Sequence, residues 1–283
     1  MTASYERRIH RVIDHIHDNP AGDLSLDALA GVAALSRFHF HRVFRAVIGE
    51  TASQSVRRIR LNLAAAHLAQ GDQPLEGIAR MVGYPNLSSF ARAFSDAYGM
   101  TPLAFRKRGE LRPMTRLISP TSSPKDYPMF PVEVRPFPAL RLAAMPHKGA
   151  YFEINRAFQT LTATMASRGL FAHAGRMVAV FYHDPNSVPV ADLRSHAGFE
   201  IVSDTAIDPP LEVVRLTGGR HAVLTYTGPY AGLPAAYDHL YATWLPASGQ
   251  EPADSPSFEI YLNSPMDTAP EKLVTELCLP LKG

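Results

Sequence analysis

Through the first hundred positions apolar residues recur at i, i+3, i+4 and i+7, the spacing of helices that bury one face. Residues 1–20 follow it in a mostly polar, amphipathic segment. After Ser36, the residues Phe40, Val43, Phe44 and Val47 form one stripe; after Asn86, Leu87, Phe90 and Phe94 form another. Ser25, Ser36 and Asn86 stand where N-caps belong, and Thr101-Pro102 supplies a cap followed by proline at the first helical position. Helices are expected over residues 26–33, from 37 onward, 53–69, 74–82, 86–94 and from 102. From residue 132 the texture changes to short β-type runs at 132–134, 141–145, 177–182, 221–226, 258–262 and 274–279. Helical stretches at 153–168 and 233–244 lie between them. Residues 117–131, with four prolines and three serines, read as a linker.

The helical part says nearly the same thing twice. Leu26, Leu29, Ala30 and Ala33 are echoed 49 positions later by Leu75, Ile78, Ala79 and Val82. After a one-residue insertion, Phe40, Arg42, Phe44, Gly49 and Thr51 are echoed 50 positions later by Phe90, Arg92, Phe94, Gly99 and Thr101. Agreement in register over so many positions marks an internal repeat. Each copy has the length of a helix-turn-helix. The helix between them, ~17 residues, spans ~25 Å, which sets two reading helices about one DNA turn apart once their own offsets are added. A second repeat lies beyond the linker: Gly149, Tyr151, Ile154, Ala157, Phe158 and Leu161 match Gly228, Tyr230, Leu233, Ala236, Tyr237 and Leu240 at an offset of 79, and Tyr182 and Tyr261 share that offset. The expected architecture is therefore multi-domain. An all-α tandem helix-turn-helix domain (1–116) precedes an α+β domain (132–283) made of a duplicated strand-helix-strand unit, with a cleft between the two copies.

Charge sharpens the division. Residues 1–116 hold 16 Lys+Arg against 10 Asp+Glu, a net of +6; the remaining 12 against 16 give −4. A basic first half suits a polyanion. In its first reading helix, Arg37, Phe38, His41, Arg42 and Arg45 face away from the apolar stripe. Arginine addresses guanine O6/N7 or holds phosphate. The second offers Asn86, Ser88, Ser89 and Arg92, fewer long polar groups and so less stringent base reading. The partner expected is double-stranded DNA.

The run from Ile78 through Phe94, with Gly83-Tyr84-Pro85-Asn86 at its turn and Tyr98-Gly99-Met100-Thr101-Pro102 after it, resembles the signature of the AraC family of transcription regulators. Ser36 through Arg45 is similar to its first half; Thr51-Ala52 departs from the family's usual Ser-Pro. The resemblance covers about residues 5–108. It implies Phe38, His41 and Arg42 as groove contacts of the first copy, and Asn86, Ser88 and Arg92 as those of the second. It also implies contact with RNA polymerase.

The segments His147-Lys148-Gly149-Ala150-Tyr151, Tyr226-Thr227-Gly228-Pro229-Tyr230, Trp244-Leu245-Pro246 and Phe258-Glu259-Ile260-Tyr261 resemble the GyrI-like effector domain. Strand alternation puts Glu259 and Tyr261 on one face, and Phe258, Ile260 and Leu262 on the other. A carboxylate among aromatic rings suits an organic cation. With the resemblance, the expected ligand-binding residues are Glu259, Tyr261, Tyr182, Tyr151, Tyr230 and Trp244, with Tyr182 and Tyr261 on facing walls of one cleft.

Other chemistry is weakly represented. Cys278 is the only cysteine, so no thiolate metal cluster is expected. The twelve histidines lack a spacing that converges on a metal, and neither a phosphate loop nor a nucleophile elbow is present. No apolar run reaches membrane-spanning length. The expectation is a cytoplasmic one-component regulator, not an enzyme, without metal or cofactor, sensing a small and cationic aromatic molecule. The alternatives are hydrolysis of a reactive small molecule at Glu259, or sequestration of a protein target.

Overall fold

The computed structural model describes residues 2–108, 129–201 and 204–283. The expected end of the helical domain at 116, and all of the 117–131 linker but residues 129–131, lie outside the described residues. The helical elements are α1 (Thr2–Asp18), α2 (Leu26–Ala33), α3 (Arg37–Ile48), α4 (Ala52–Gln70), α5 (Leu75–Met81), α6 (Leu87–Tyr98) and α7 (Pro102–Arg108). Local chemistry sets most of these boundaries. Ser25 Oγ accepts from the Ala28 N–H, Asn86 Oδ1 from Ser89 at 2.8 Å, and Thr101 Oγ1 from Ala104 at 3.2 Å. Thr51 and Gln54 form a reciprocal capping box at the start of α4. Ser36 departs from expectation: its hydroxyl is buried without a hydrogen-bond partner, so α3 begins without the side-chain cap that the sequence suggested.

The described residues divide into two compact units. One holds Ala3–Ala34 and residues 44–108; the other holds Thr2, Leu35–Val43 and residues 129–201 and 204–283. In the helical unit, α5 and α6 pack on α4 around Leu61, Leu68, Ile78, Val82, Phe90 and Phe94. Phe94 stacks on Tyr98 with centroids 4.4 Å apart and meets Phe105 edge-on at 5.3 Å, which ties α7 to the same core. Gly83, at the turn between α5 and α6, has φ +80°, and a Cβ there would collide with the Pro20 carbonyl oxygen and the Arg60 guanidinium.

The second unit is built on one antiparallel sheet of eight strands: β1 (Val132–Phe137), β2 (Leu140–Lys148), β3 (Ala174–Phe181), β4 (Arg194–Ile201), β5 (Glu212–Leu216), β6 (Gly219–Thr227), β7 (Ser257–Tyr261) and β8 (Val274–Pro280). Their order is β1-β6-β8-β7-β3-β4-β2-β5. Helix α8 (Asn155–Ser167) packs on β2 and β4, and α9 (Leu233–Asp238) on β6. A π-helical segment, His239–Trp244, carries α9 into α10 (Leu245–Ser248). The central strands β3 and β7 thus lie between the areas that the two helices cover. Alternation gives the sheet two cores. Leu142, Val178, Val180, Phe258 and Ile260 share one face; Ala143, Met145 and Ala197 pack with Leu161 and Met165 of α8 on the other.

Strands β4 and β5 were not anticipated. Ser195, His196, Ala197 and Gly198 lack a β-branched run, yet the centre of β4 requires small residues: a Cβ on Gly198 would sit 3.3 Å from the Leu142 side chain. Strand β5 is short and follows a Pro209-Pro210 pair.

A Gly83→Ala chain is expected to lose about 2 kcal/mol or more, because the turn demands a left-handed backbone and leaves no room for the methyl group. Urea unfolding of the two chains checks this; an unchanged midpoint would show that the turn adapts.

Candidate ligand and DNA-binding sites

The floor of the candidate ligand cleft is where β7 passes between β3 and β8. Glu259 pairs with Ala179 on one side and Leu277 on the other, and is 3 % exposed. Water is therefore largely withheld from its carboxyl. That burial pushes it up to about 7, against the pull of the Tyr261 and Tyr237 hydroxyls and of Arg42. Tyr261 donates to Glu259 Oε2 at 2.8 Å. The Tyr237 hydroxyl lies against the same carboxyl, without a hydrogen bond of normal geometry. Phe158 and Tyr230 meet the Tyr261 ring edge-on at 5.8 and 5.4 Å. Tyr151 packs at the end of β3. Its hydroxyl lies 3.0 Å from the His183 carbonyl and 3.1 Å from that of Arg194, and its ring is edge-on to Phe181 at 4.8 Å.

One of the expected ligand residues stands elsewhere. Tyr182 lies on the opposite sheet face, packed against the Val180 and Phe258 core, with its hydroxyl 2.9 Å from His196 Nδ1. The reason is register. Pairings recur 80 positions apart in the strands, Val178↔Gly198 with Phe258↔Cys278 and Phe181↔Ser195 with Tyr261↔Thr275, whereas the 79-residue offset holds only around the helices. A slip of one residue exchanges sheet faces, so Phe181 is in the register position of Tyr261. Trp244 is half-buried at the end of the π-helical segment and makes no ring contact among the described residues.

The same unit includes Leu35–Val43, and this segment reaches Tyr237, Tyr241 and Ser255. His39 is wholly buried. Its Nε2 lies 3.0 Å from the Ser255 carbonyl and its Nδ1 2.8 Å from the Tyr241 hydroxyl. The carbonyl only accepts, so Nε2 carries the proton and Tyr241 donates to Nδ1. Ser257 Oγ, 2.7 Å from Tyr241, extends the chain. Burial drives the imidazole down to about 3, so it is neutral. One turn on, the Arg42 guanidinium carbon is 4.0 Å from the Tyr237 ring centroid and 5.2 Å from that of Tyr241. Asp184 is buried too, and accepts from the Asn186 N–H, Asn186 Nδ2 and Ser187 Oγ at 3.0–3.1 Å. Burial disfavours its charge, but Arg42 and these three donors outweigh that and hold its carboxyl below the usual range. His41 is buried with both ring nitrogens unpartnered, and burial lowers its basicity.

The candidate DNA residues therefore differ between copies. On α3, Arg37 is exposed and lies over Phe38, Arg45 is partly exposed, and His41 and Arg42 are turned into the sheet unit. On α6, Asn86, Ser88 and Arg92 are all exposed, although Asn86 spends its carbonyl oxygen on the helix cap. Sequence reasoning missed His39, Asp184 and Tyr241. The Asp184-Pro185-Asn186-Ser187 turn reads as a surface loop, and no local pattern marks its carboxylate as buried.

A helical part with two helix-turn-helix pairs, joined to a sheet part that encloses a carboxyl among phenols, belongs to the class that links nucleic-acid binding to small-molecule binding. The model of the GyrI-like small molecule binding domain matches residues 130–282, and that of a helix-turn-helix domain matches residues 29–108. The chain belongs to the GyrI-like family, and its helical part is of the AraC type. It is 35 % identical over 101 residues to the RCS-specific HTH-type transcriptional activator RclR of Escherichia coli, covering 36 % of this chain and 36 % of RclR. It is 30 % identical over 105 residues to the regulatory protein SoxS of Salmonella typhimurium, covering 37 % of this chain and 98 % of SoxS. The match thus spans about a third of RclR but nearly all of SoxS. A cryo-EM structure of an EcmrR–DNA complex is similar at 12 % identity and a TM-score of 0.45 over 54 % of this chain and 57 % of that one.

Replacing Tyr261 by Phe removes the hydrogen bond that favours ionised Glu259, so the carboxyl is expected to titrate above its present value of about 7. Carbon-13 NMR of the labelled glutamate side chain measures this; a downward shift would contradict the assignment.

Proposed function

We propose that this chain is a one-component transcription regulator. Its helical part binds double-stranded DNA, and its sheet part receives a small organic cation with aromatic character at Glu259. The observation that carries the ligand reading is the carboxyl itself, 3 % exposed, with the Tyr261 and Tyr237 hydroxyls against it and with Tyr230 and Phe158 packed on the Tyr261 ring. An anion in such a place is costly without a counter-charge, and aromatic faces add attraction for a cation. The cleft lies between two strand-helix-strand units that we read as duplicated. The sheet order supports this: exchanging β1–β4 for β5–β8 reproduces the same order in reverse. The DNA reading rests on Asn86, Ser88 and Arg92, exposed along α6, and on Arg37, exposed at the start of α3. Contact with RNA polymerase would follow from binding at a promoter.

A second reading is favoured by the same carboxyl. A glutamate near neutrality with a tyrosine hydroxyl at 2.8 Å has the make-up of a general base, and hydrolysis of a reactive small molecule would use it. Mass spectrometry of candidate compounds incubated with the protein separates turnover from binding.

Tetraphenylphosphonium, a permanent aromatic cation, is the probe for the cleft. Glu259→Gln is expected to weaken its binding about tenfold or more. Affinity for the wild-type chain should fall as pH drops through about 7, because protonation removes the negative charge, and should level off at higher pH. Calorimetry across pH checks both; equal affinity for the two chains would refute the cation reading. For DNA, duplexes selected by the protein from a random pool serve as the target. Arg92→Ala should weaken binding across sequences and reduce the salt slope by about 1 if Arg92 holds phosphate; an unchanged slope would remove Arg92 from the interface.

A further inference from the structure

We propose that Arg42 is the resident cation of the Glu259 cleft, so that an effector cation and the docked Leu35–Val43 segment exclude one another. This inference rests on the cation reading given above and concerns how that site is controlled.

The geometry is that of a ligand held by its site. The guanidinium lies on the face of Tyr237 and within reach of that of Tyr241, at 4.0 and 5.2 Å. Such stacking is what an aromatic cage offers an organic cation. Asp184, buried and fully hydrogen-bonded by Asn186 and Ser187, supplies negative charge, and Glu259 contributes to the same field. The segment is fixed as well as filled. His39 spends both ring nitrogens on Tyr241 and Ser255, and its ring stacks on Tyr241 at 5.8 Å and 30°. The repeat provides an internal control. Arg92, the counterpart of Arg42 on α6, is exposed, although both sit at the same place in the repeat, each between the two phenylalanines of its helix's apolar stripe.

The consequence is a thermodynamic linkage. A cation that takes the Tyr237 face must displace Arg42, and Arg42 and His41 are the side chains the basic face of α3 would offer to a DNA groove. Effector binding and release of Leu35–Val43 are then one equilibrium. Binding to a cleft that is mostly self-occupied is weakened by the fraction open. If the open state is populated at about 1–10 %, vacating the site tightens cation binding about 10- to 100-fold.

Two measurements on the full chain test this. In calorimetry with tetraphenylphosphonium, Arg42→Ala is expected to bind about tenfold or more tightly than wild type, and Arg42→Lys, which keeps the charge but loses the planar stack, less tightly than Arg42→Ala. In hydrogen exchange of the wild-type chain, the amides of residues 37–43 should exchange faster at saturating tetraphenylphosphonium. Equal affinities for wild type and Arg42→Ala overturn the self-occupancy while leaving the cation site standing. No binding by either chain overturns both. Unchanged or slower exchange at 37–43, with binding established, overturns the displacement.

Discussion

A carboxyl withdrawn from water at the centre of a sheet is the constraint on which the rest of this unit depends. Glu259 lies between Ala179 and Leu277, neither of which can stabilise its charge, so burial lifts it to about 7. Hydrogen bonds and aromatic faces must then come from outside the sheet plane. Tyr261 supplies one from its own strand, Tyr237 comes from α9 and Phe158 from α8. The small side chains of Ala179 and Ala197 keep the floor between the helices low. The same low polarity that disfavours a lone anion strengthens its attraction for a cation.

The two helices that occupy equivalent places in the repeat have different surroundings. α3 and α6 share their apolar stripe and an arginine at the equivalent position, and intrinsic propensity does not distinguish them. The first copy adds His39, a neutral imidazole whose two nitrogens match one donor and one acceptor, Tyr241 and the Ser255 carbonyl. The second copy has Ser89 in that place, and its hydroxyl turns back to the Asn86 carbonyl. His39 pairs at long range where Ser89 pairs locally, and Arg42 rests on Tyr237 where Arg92 is exposed.

Much of the helical unit was legible because its determinants are local. The stripe of Phe90 and Phe94, the Asn86 cap and the Thr101-Pro102 start all act within a few residues, and the observed helices follow them. Ser36 is the exception, since its hydroxyl is buried where it was expected to cap. In the sheet unit the odd–even alternation correctly separated Glu259 and Tyr261 from Phe258 and Ile260. The 79-residue offset misled at Tyr182, because the spacing that relates the helices differs by one residue from the spacing that relates the strands, and one residue reverses the face. β4 escaped notice because its centre, Ala197 and Gly198, carries small residues where Leu142 packs close, rather than a β-branched run.

The sequence by itself determined the helices of the helical unit and most of their caps, the family resemblance, and the acidic and aromatic chemistry around position 259. These are written in periodicity and in residue types within a turn or a strand of one another. Only the tertiary structure decided that Glu259 is enclosed, that Asp184 and His39 are buried partners, and that Arg42 rests on Tyr237. Those contacts join positions up to about two hundred residues apart. Their energies come from exclusion of water, and that is a property of the assembled sheet and helices rather than of any segment.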